Sequence, residues 1–204
     1  MRITGGQWCG RTLLMPKSEL VRPTQDRVRE ALFNLLTPVL NGARFLDLFA
    51  GSGAVGLDAL SRGVAEVTFL EQDKAVFNTL KKNLQAFGVD DYCAHNVNSL
   101  SWLGLADTHT KAPGHRKAPA PMAATTRPYD IVFADPPYLW AYENGFEPIA
   151  NALIERNLLS AEGFLITETD YRTDALELPG YTLVRDRLYG KTRLAIYRRN
   201  APSA

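Results

Sequence analysis

The chain lacks several features that would each point to a different class of protein. It has no run of 18 apolar residues, so no membrane-spanning helix is expected, and its first residues lack the apolar core of a secretory signal. Its two cysteines, Cys9 and Cys93, have neither C-x-x-C nor metal-type spacing, and its three histidines show no ligand spacing. We therefore expect a cytoplasmic protein without a membrane partner, with reduced cysteines and with no metal site.

The net charge of the chain is also small, but its acidic and basic residues are segregated along the sequence. The formal net charge is only +1, although residues 1–44, 106–128 and 181–204 carry +4, +3 and +5. The two segments between them, 45–105 and 129–180, carry −3 and −8. Basic segments around an acidic middle predict a polyanionic partner if they share one face of the fold. The alternative is scattered, solvated charge.

A glycine-rich turn after a short apolar run is the most informative stretch that is present. Residues 45–60 read as a buried strand, a turn and a helix, and Gly51, Gly53 and Gly56 complete a G-x-G-x-x-G pattern. Glycines let a backbone approach a ligand closely, and the free N–H groups of a helix start attract polar groups. Glu71 ends the next apolar run and is placed to accept hydrogen bonds from a ribose diol. These residues predict a cofactor that contains a nucleoside; a turn without a ligand is the alternative.

The identity of that cofactor depends on Asp47. This carboxylate lies four residues before Gly51, near the tip of the strand, where dinucleotide-binding proteins usually have an uncharged residue. A carboxylate there can meet a cationic amine, and S-adenosylmethionine carries such an ammonium group. Asp47 therefore favours a methyl donor over NAD, and the sequence also has no histidine placed for hydride transfer.

A second motif, Asp135-Pro-Pro-Tyr138, directly follows an apolar run at 129–134. In an open α/β sheet, it should lie at the same carboxyl edge as the glycine turn. The two prolines fix the backbone and remove N–H donors. The Asp135 carboxylate and the Pro136 carbonyl can then accept hydrogen bonds from one exocyclic amine, while Tyr138 offers a ring on which a base can stack. A rigid turn without a function is the alternative.

The remaining pattern alternates strands and helices, which predicts a mostly parallel sheet covered on both faces. A small hairpin at 2–14 precedes a helix with Thr24 as its N-cap and with Val28, Ala31, Leu32, Leu35 and Leu36 on its buried side. Pro38 and Asn41-Gly42 should end that helix. The third strand is expected over 92–97, and the last two strands, 181–185 and 193–197, should pair antiparallel because their link is short. We expect one domain over 1–204, with an N-terminal extension at 1–40 and a flexible, proline-rich insert at 106–128.

Four stretches of the chain resemble the RsmD family of bacterial 16S rRNA guanine-2-amino methyltransferases. They are 22–34, 47–63, Asp135–Tyr138 and 189–194. The second and third stretches are typical of class I methyltransferases that act on exocyclic amines, and the first and fourth indicate this family. The resemblance implies a Rossmann-like fold with a seven-stranded, mostly parallel sheet whose last strand is antiparallel. The N-terminal hairpin and helix would be appended to that sheet.

The resemblance also implies roles for individual residues. Asp135, Pro136 and Tyr138 would orient the guanine. Residues that would bind S-adenosylmethionine are Asp47, Phe49, Gly51, Gly53, Glu71, Gln72, Asn98 and Thr24, although many relatives have aspartate where Asn98 stands. Arginines that would contact RNA are Arg2, Arg11, Arg22, Arg27 and Arg29. The insert 106–128 departs from the family pattern, and the resemblance implies no role for it.

The function predicted from the sequence is therefore methylation of a guanine 2-amino group in small-subunit rRNA by a monomer, within an assembled or assembling 30S subunit. An adenine-6-amino DNA methyltransferase shares Asp-Pro-Pro-Tyr and is the first alternative, but the 204 residues show no separate region for reading DNA sequence. A second alternative is a non-catalytic module that binds the cofactor and docks on RNA. The intact pair of Asp135 and Tyr138 argues against it.

Overall fold

The computed structural model describes residues 1–16, 24–105 and 127–201, apart from the side chains of Tyr92 and Tyr138. The predictions for Arg22 and for nearly all of the insert 106–128 therefore lie outside the described residues. The chain divides into two compact units, Met1–Asn96 and Val97–Ala204. The expectation of a single domain stays a prediction.

The first unit is built on three parallel strands. β1 (Arg44–Asp47) pairs with β2 (Glu66–Leu70), which pairs with β3 (Ala94–His95). The interiors of β1 and β2 are buried, as expected for strands of a parallel sheet that is covered on both faces. The α-helices described in this unit are α1 (Asp26–Leu40), α2 (Ala54–Ser61) and α3 (Lys74–Ala86).

Two of the expected elements in this unit differ from the structure. The third strand, predicted over 92–97, is only two residues long, because a 3-10 turn over Asp91–Cys93 precedes it. The N-cap of α1 is Gln25 rather than Thr24. The helix continues past Pro38 but ends at Leu40, directly before Asn41 and Gly42 as expected. Leu35, expected on the buried side of α1, is 37% exposed.

The N-terminal hairpin is present as a bridge rather than as two strands. Arg2 and Thr12 form one antiparallel bridge, and the Ile3 N–H donates a hydrogen bond to the Arg11 carbonyl at 2.9 Å. A 3-10 turn over Gly6–Trp8 joins the two arms. Ile3 and Leu13 are 1% and 2% exposed, so apolar burial holds the hairpin in the first unit.

The described part of the second unit contains four strands. β4 (Tyr129–Ala134) is parallel to β5 (Leu159–Asp170), and β7 (Thr192–Arg199) pairs antiparallel with both β5 and β6 (Tyr181–Tyr189). A two-residue link joins β6 to β7, as expected for an antiparallel hairpin. The helices described in this unit are α4 (Ser99–Trp102), α5 (Tyr138–Asn144) and α6 (Glu147–Glu155).

The strand order is β3-β2-β1 in the first unit and β4-β5-β7-β6 in the second unit. The predicted fold class, a mostly parallel sheet with the last strand antiparallel, is confirmed. Within the described ranges, no helix is both long and apolar enough to cross a bilayer.

Gly56 is required by packing, which gives a first testable prediction. An added Cβ at this position would lie 2.2 Å from Cε1 and 2.7 Å from Cζ of the fully buried Phe69. A methyl group at this position can be accommodated only if side chains or backbone in the packed core move. Gly56→Ala should therefore lower the free energy of unfolding by about 1–3 kcal/mol in urea titrations. Phe69→Leu removes the ring that is contacted, so the cost of Gly56→Ala should shrink in that background. Additive costs in the double variant would contradict this explanation.

Candidate functional site

The glycine loop lies between β1 and α2 in the first unit. Gly51 and Gly53 have φ angles of +56° and +84°, which residues with a side chain rarely adopt. The Gly53 N–H donates to the Ala50 carbonyl at 2.8 Å, and Gly53 is the N-cap residue of α2. The loop therefore turns sharply at two positions where the backbone is not covered by side chains of its own.

Asp47 lies directly under this loop and is almost completely buried. Its Oδ2 accepts a hydrogen bond from the Gly56 N–H at 3.2 Å, whereas no described group donates a hydrogen bond to its buried Oδ1. Burial raises the pKa of Asp47 from 3.8 to about 7, and the nearby Glu71 carboxylate adds to the rise. The backbone N–H groups of Gly56 and Phe49 stabilise the charged carboxylate and so partly offset the rise in pKa. A buried carboxylate with one unused oxygen is suited to a cationic donor.

That pKa predicts how stability depends on pH. Between about pH 4 and pH 7 the folded chain holds a proton on Asp47 that the unfolded chain releases, so stability falls as pH rises through this window. From pH 5 to pH 7, the wild type should lose about 2 kcal/mol more than Asp47→Asn, which has no proton to release. Urea unfolding of both proteins at several pH values measures this difference. The two curves should run parallel above pH 8, and parallel curves throughout would contradict the prediction.

Glu71, at the end of β2, is tied to the same loop. Its Oε2 accepts from the Gly51 N–H at 2.9 Å, and its Oε1 accepts from the Asp73 N–H at 2.7 Å. Burial raises the pKa of this carboxyl group. Since each carboxylate oxygen has a second acceptor site, these bonds leave Glu71 able to accept from a ribose diol as well. Glu71 thus also fixes the loop, a role that the sequence pattern did not indicate.

The other residues predicted to bind the cofactor fall into different places. Phe49 is half-buried in the loop and Gln72 is exposed beside Glu71. Thr24 is buried just before α1, and its carbonyl accepts a hydrogen bond from Arg29 at 2.7 Å. Asn98 belongs to the second unit and caps α4, where its Oδ1 accepts from the Ser101 N–H at 2.8 Å.

In the second unit, the Asp-Pro-Pro motif follows β4 and leads into α5. Asp135 is half-buried, Pro136 is buried, and Pro137 is the exposed N-cap residue of α5. Trp140 anchors the helix with only 3% exposure. The carboxylate of Asp135 is therefore presented at the end of a buried strand by a backbone that two prolines restrain.

Of the arginines expected to contact RNA, Arg2, Arg11 and Arg27 are exposed. Arg11 also lies over the Phe87 ring at 4.0 Å and donates to the Ala86 carbonyl at 2.6 Å. The prediction for Arg29 is wrong, because its side chain is completely buried and cannot reach a phosphate. Its Nε donates to Asp58 Oδ2 at 2.7 Å, so it forms a buried ion pair within the first unit.

Two functionally placed residues were not found from the sequence. The Asp58 carboxylate in α2 accepts a hydrogen bond from the Arg29 Nε–H and another from the Thr4 N–H at 2.7 Å. Asn83 in α3 is 1% exposed and donates from Nδ2 to the Ser52 carbonyl of the glycine loop at 2.8 Å. The only signal for either was a polar residue among the apolar positions on the buried side of its helix.

Comparisons with known proteins agree with this fold and these motifs. A solved structure of a putative methyltransferase from Escherichia coli superposes with a TM-score of 0.78 and 36% identity, covering 99% of both chains. A putative S-adenosylmethionine-dependent methyltransferase from Streptococcus mutans shares the fold, with a TM-score of 0.62 at 16% identity, over 87% of this chain and 49% of that one. The sheet, its glycine loop and these likenesses define a class I methyltransferase fold.

The family follows from sequence similarity along nearly the whole chain. The model described as "Conserved hypothetical protein 95" matches residues 1–198. The Ribosomal RNA small subunit methyltransferase D of Escherichia coli (strain K12) is 37% identical over 202 residues, 98% of this chain and 91% of the relative. The Putative rRNA methyltransferase YlbH of Bacillus subtilis is 31% identical over 200 residues, 98% of this chain and 99% of the relative. The chain belongs to the RsmD family, which this model describes.

Proposed function

We propose that the protein transfers a methyl group from S-adenosylmethionine to the exocyclic 2-amino group of a guanine in small-subunit rRNA. The observation that carries the proposal is the motif Asp135–Tyr138 at the end of β4 in a chain that is 37% identical to a named rRNA small subunit methyltransferase. The substrate would be rRNA within an assembled or assembling 30S subunit, and the enzyme would act as a monomer in the cytoplasm.

The glycine loop fits the cofactor on chemical grounds. The buried Oδ1 of Asp47 lacks a donor among the described residues, and the ammonium of S-adenosylmethionine can supply one. Glu71 retains acceptor sites for a ribose diol, and the partly exposed Gly51, which has no side chain, leaves room for a close approach to the loop. When bound, the cofactor supplies a methyl group attached to a positively charged sulfur.

The residues of the second motif would position the amine for transfer. Asp135 and the Pro136 carbonyl would accept the two N–H bonds of the guanine 2-amino group, which aims its lone pair away from them. Asp135 need not be a strong base, because the proton can leave after the new C–N bond has formed. Positioning of this kind supplies most of the rate when two reactants are held in line. The guanine must be unpaired or flipped out of a helix to reach such a site.

Nucleoside analysis tests this function directly. Mass spectrometry of digested small-subunit rRNA from cells that lack the protein should show less 2-methylguanosine than rRNA from the parent. The wild-type gene should restore the modification, and the Asp135→Ala gene should not. Unchanged rRNA together with altered methyladenine in DNA would instead support the adenine-6-amino alternative.

Contact with rRNA phosphates predicts a dependence on salt that a single exposed arginine should change. Arg27 is exposed on α1, so Arg27→Ala should reduce the slope of log binding constant against log salt by roughly 0.7–0.9, the value for one lost phosphate contact. Asn34→Ala, also exposed on α1, is the uncharged control and should leave the slope unchanged. Filter binding of rRNA at several salt concentrations measures both. An unchanged slope for Arg27→Ala would exclude this arginine from the RNA contact.

A further inference from the structure

The amide of Asn83 joins two parts of the first unit that are far apart in sequence. Besides donating to the Ser52 carbonyl, its Nδ2 donates to the Leu14 carbonyl at 3.0 Å, and its Oδ1 accepts from the Leu14 N–H at 2.9 Å. One buried side chain therefore satisfies both polar groups of Leu14 and one carbonyl of the glycine loop. The orientation of the amide is fixed, because the Leu14 N–H can only donate and both carbonyls can only accept.

The bond to Ser52 restrains the part of the loop that turns most sharply. Ser52 stands between Gly51 and Gly53, and its carbonyl shares a rigid peptide plane with the Gly53 N–H. Asn83 holds one edge of this plane and the Ala50 carbonyl, which accepts from Gly53 at 2.8 Å, holds the other. The direction of the loop backbone therefore depends on Asn83.

The two bonds to Leu14 restrain the end of the N-terminal hairpin. The Leu14 side chain is 52% exposed, so its own burial does little to place this residue. The paired bonds to Asn83 resemble those that a neighbouring strand would make. The hairpin end and the glycine loop consequently share one partner, and a shift in either one strains the same amide.

We propose that Asn83 is a positioning residue for the cofactor, which couples the hairpin end at Leu14 to the glycine loop at Ser52. This inference rests on the proposed function, since it requires S-adenosylmethionine to bind at the loop. A ligand that fixes the loop should then also fix the hairpin end, and loss of Asn83 should uncouple the two.

Affinity and kinetics give the first test. Asn83→Ala should weaken S-adenosylmethionine binding roughly tenfold in calorimetry, the scale of about one lost hydrogen bond. The KM for the cofactor should rise by a similar factor, with kcat at saturation changed much less. Asn83→Asp should bind S-adenosylmethionine more weakly still at pH 8, because its second carboxylate oxygen would face and repel the two carbonyl oxygens that Nδ2 contacts in the wild type. Asn78→Ala, an exposed asparagine of the same helix, is the matched control and should bind like the wild type.

Hydrogen exchange separates coupling from mere stabilisation of the fold. In the wild type and in Asn78→Ala, the cofactor should slow amide exchange both in the loop 48–56 and in the hairpin end 11–16. In Asn83→Ala, it should slow exchange in the loop only. A variant that unfolds more easily but keeps the wild-type affinity and the joint protection would overturn the inference while leaving the proposed function intact. Wild-type protein that binds no S-adenosylmethionine would overturn both.

Discussion

Asp135→Ala is expected to lower the rate of rRNA methylation about 100- to 1000-fold, the scale of loss when one preorganised polar contact at a reacting centre is removed. The half-buried carboxylate directly follows the buried strand β4 and is restrained by Pro136, so the chain holds it where the proposed contact with the amine requires it. S-adenosylmethionine should still raise the melting temperature of the variant, because the glycine loop belongs to the first unit. Single-turnover assays with saturating cofactor measure the effect.

Two comparison variants make the result specific. Asp135→Asn should retain partial activity, because the amide oxygen still accepts one hydrogen bond from the amine. Asp174→Ala removes an aspartate of the same unit whose side chain is 92% exposed, and it should methylate at the wild-type rate. If Asp135→Ala also worked at the wild-type rate, Asp135 would be a turn residue without a part in catalysis.

The second large effect should come from the buried ion pair of Arg29 and Asp58. Both side chains are 0% exposed, with Nε and Oδ2 2.7 Å apart. Arg29→Met leaves the Asp58 carboxylate in the interior without its cation, so we expect the free energy of unfolding to fall by about 3–5 kcal/mol. Urea denaturation measures the change.

The partners of Arg29 explain why lysine should not rescue this position. The guanidinium also donates to the carbonyls of Thr24 and Arg2, at 2.7 and 2.5 Å, and a lysine ammonium cannot reproduce that fork. Arg27→Ala, two residues earlier and exposed, should change stability by no more than about 0.5 kcal/mol. The opposite outcome would be an Arg29→Met protein that is as stable as the wild type and whose RNA binding depends less on salt. That result would support the phosphate contact predicted for Arg29 from the sequence.

The error at Arg29 has a clear cause. An arginine beside the apolar positions of an amphipathic helix is usually solvated, and the sequence pattern contains no sign of the acid that would receive it. Asp58 lies 29 positions later in α2, and the Arg2 carbonyl lies 27 positions earlier. Only packing of the hairpin, α1 and α2 brings these groups together, and that packing turns a predicted surface cation into the centre of a buried network.

Local patterns determined much of the chain by themselves. The alternation of apolar runs and amphipathic helices predicted the mixed α/β sheet, the short link predicted the antiparallel pair β6 and β7, and glycine spacing predicted the turn after β1. Each of these depends on residues that are close in sequence, where backbone conformation and periodic burial decide the outcome. Helix and strand ends were less well predicted, as at the start of α1 and in β3, because the last turn of an element depends on its neighbours.

The tertiary structure alone decided which polar groups are buried and with what partners. The bond from the Gly51 N–H to Glu71 and the three bonds of Asn83 join residues that are far apart in sequence, and the unused oxygen of Asp47 arises from the same packing. A carboxylate or an amide in the sequence has the same chemistry in water wherever it stands. Its pKa, its free acceptor sites and its part in holding a loop arise when folding removes the water and fixes its neighbours.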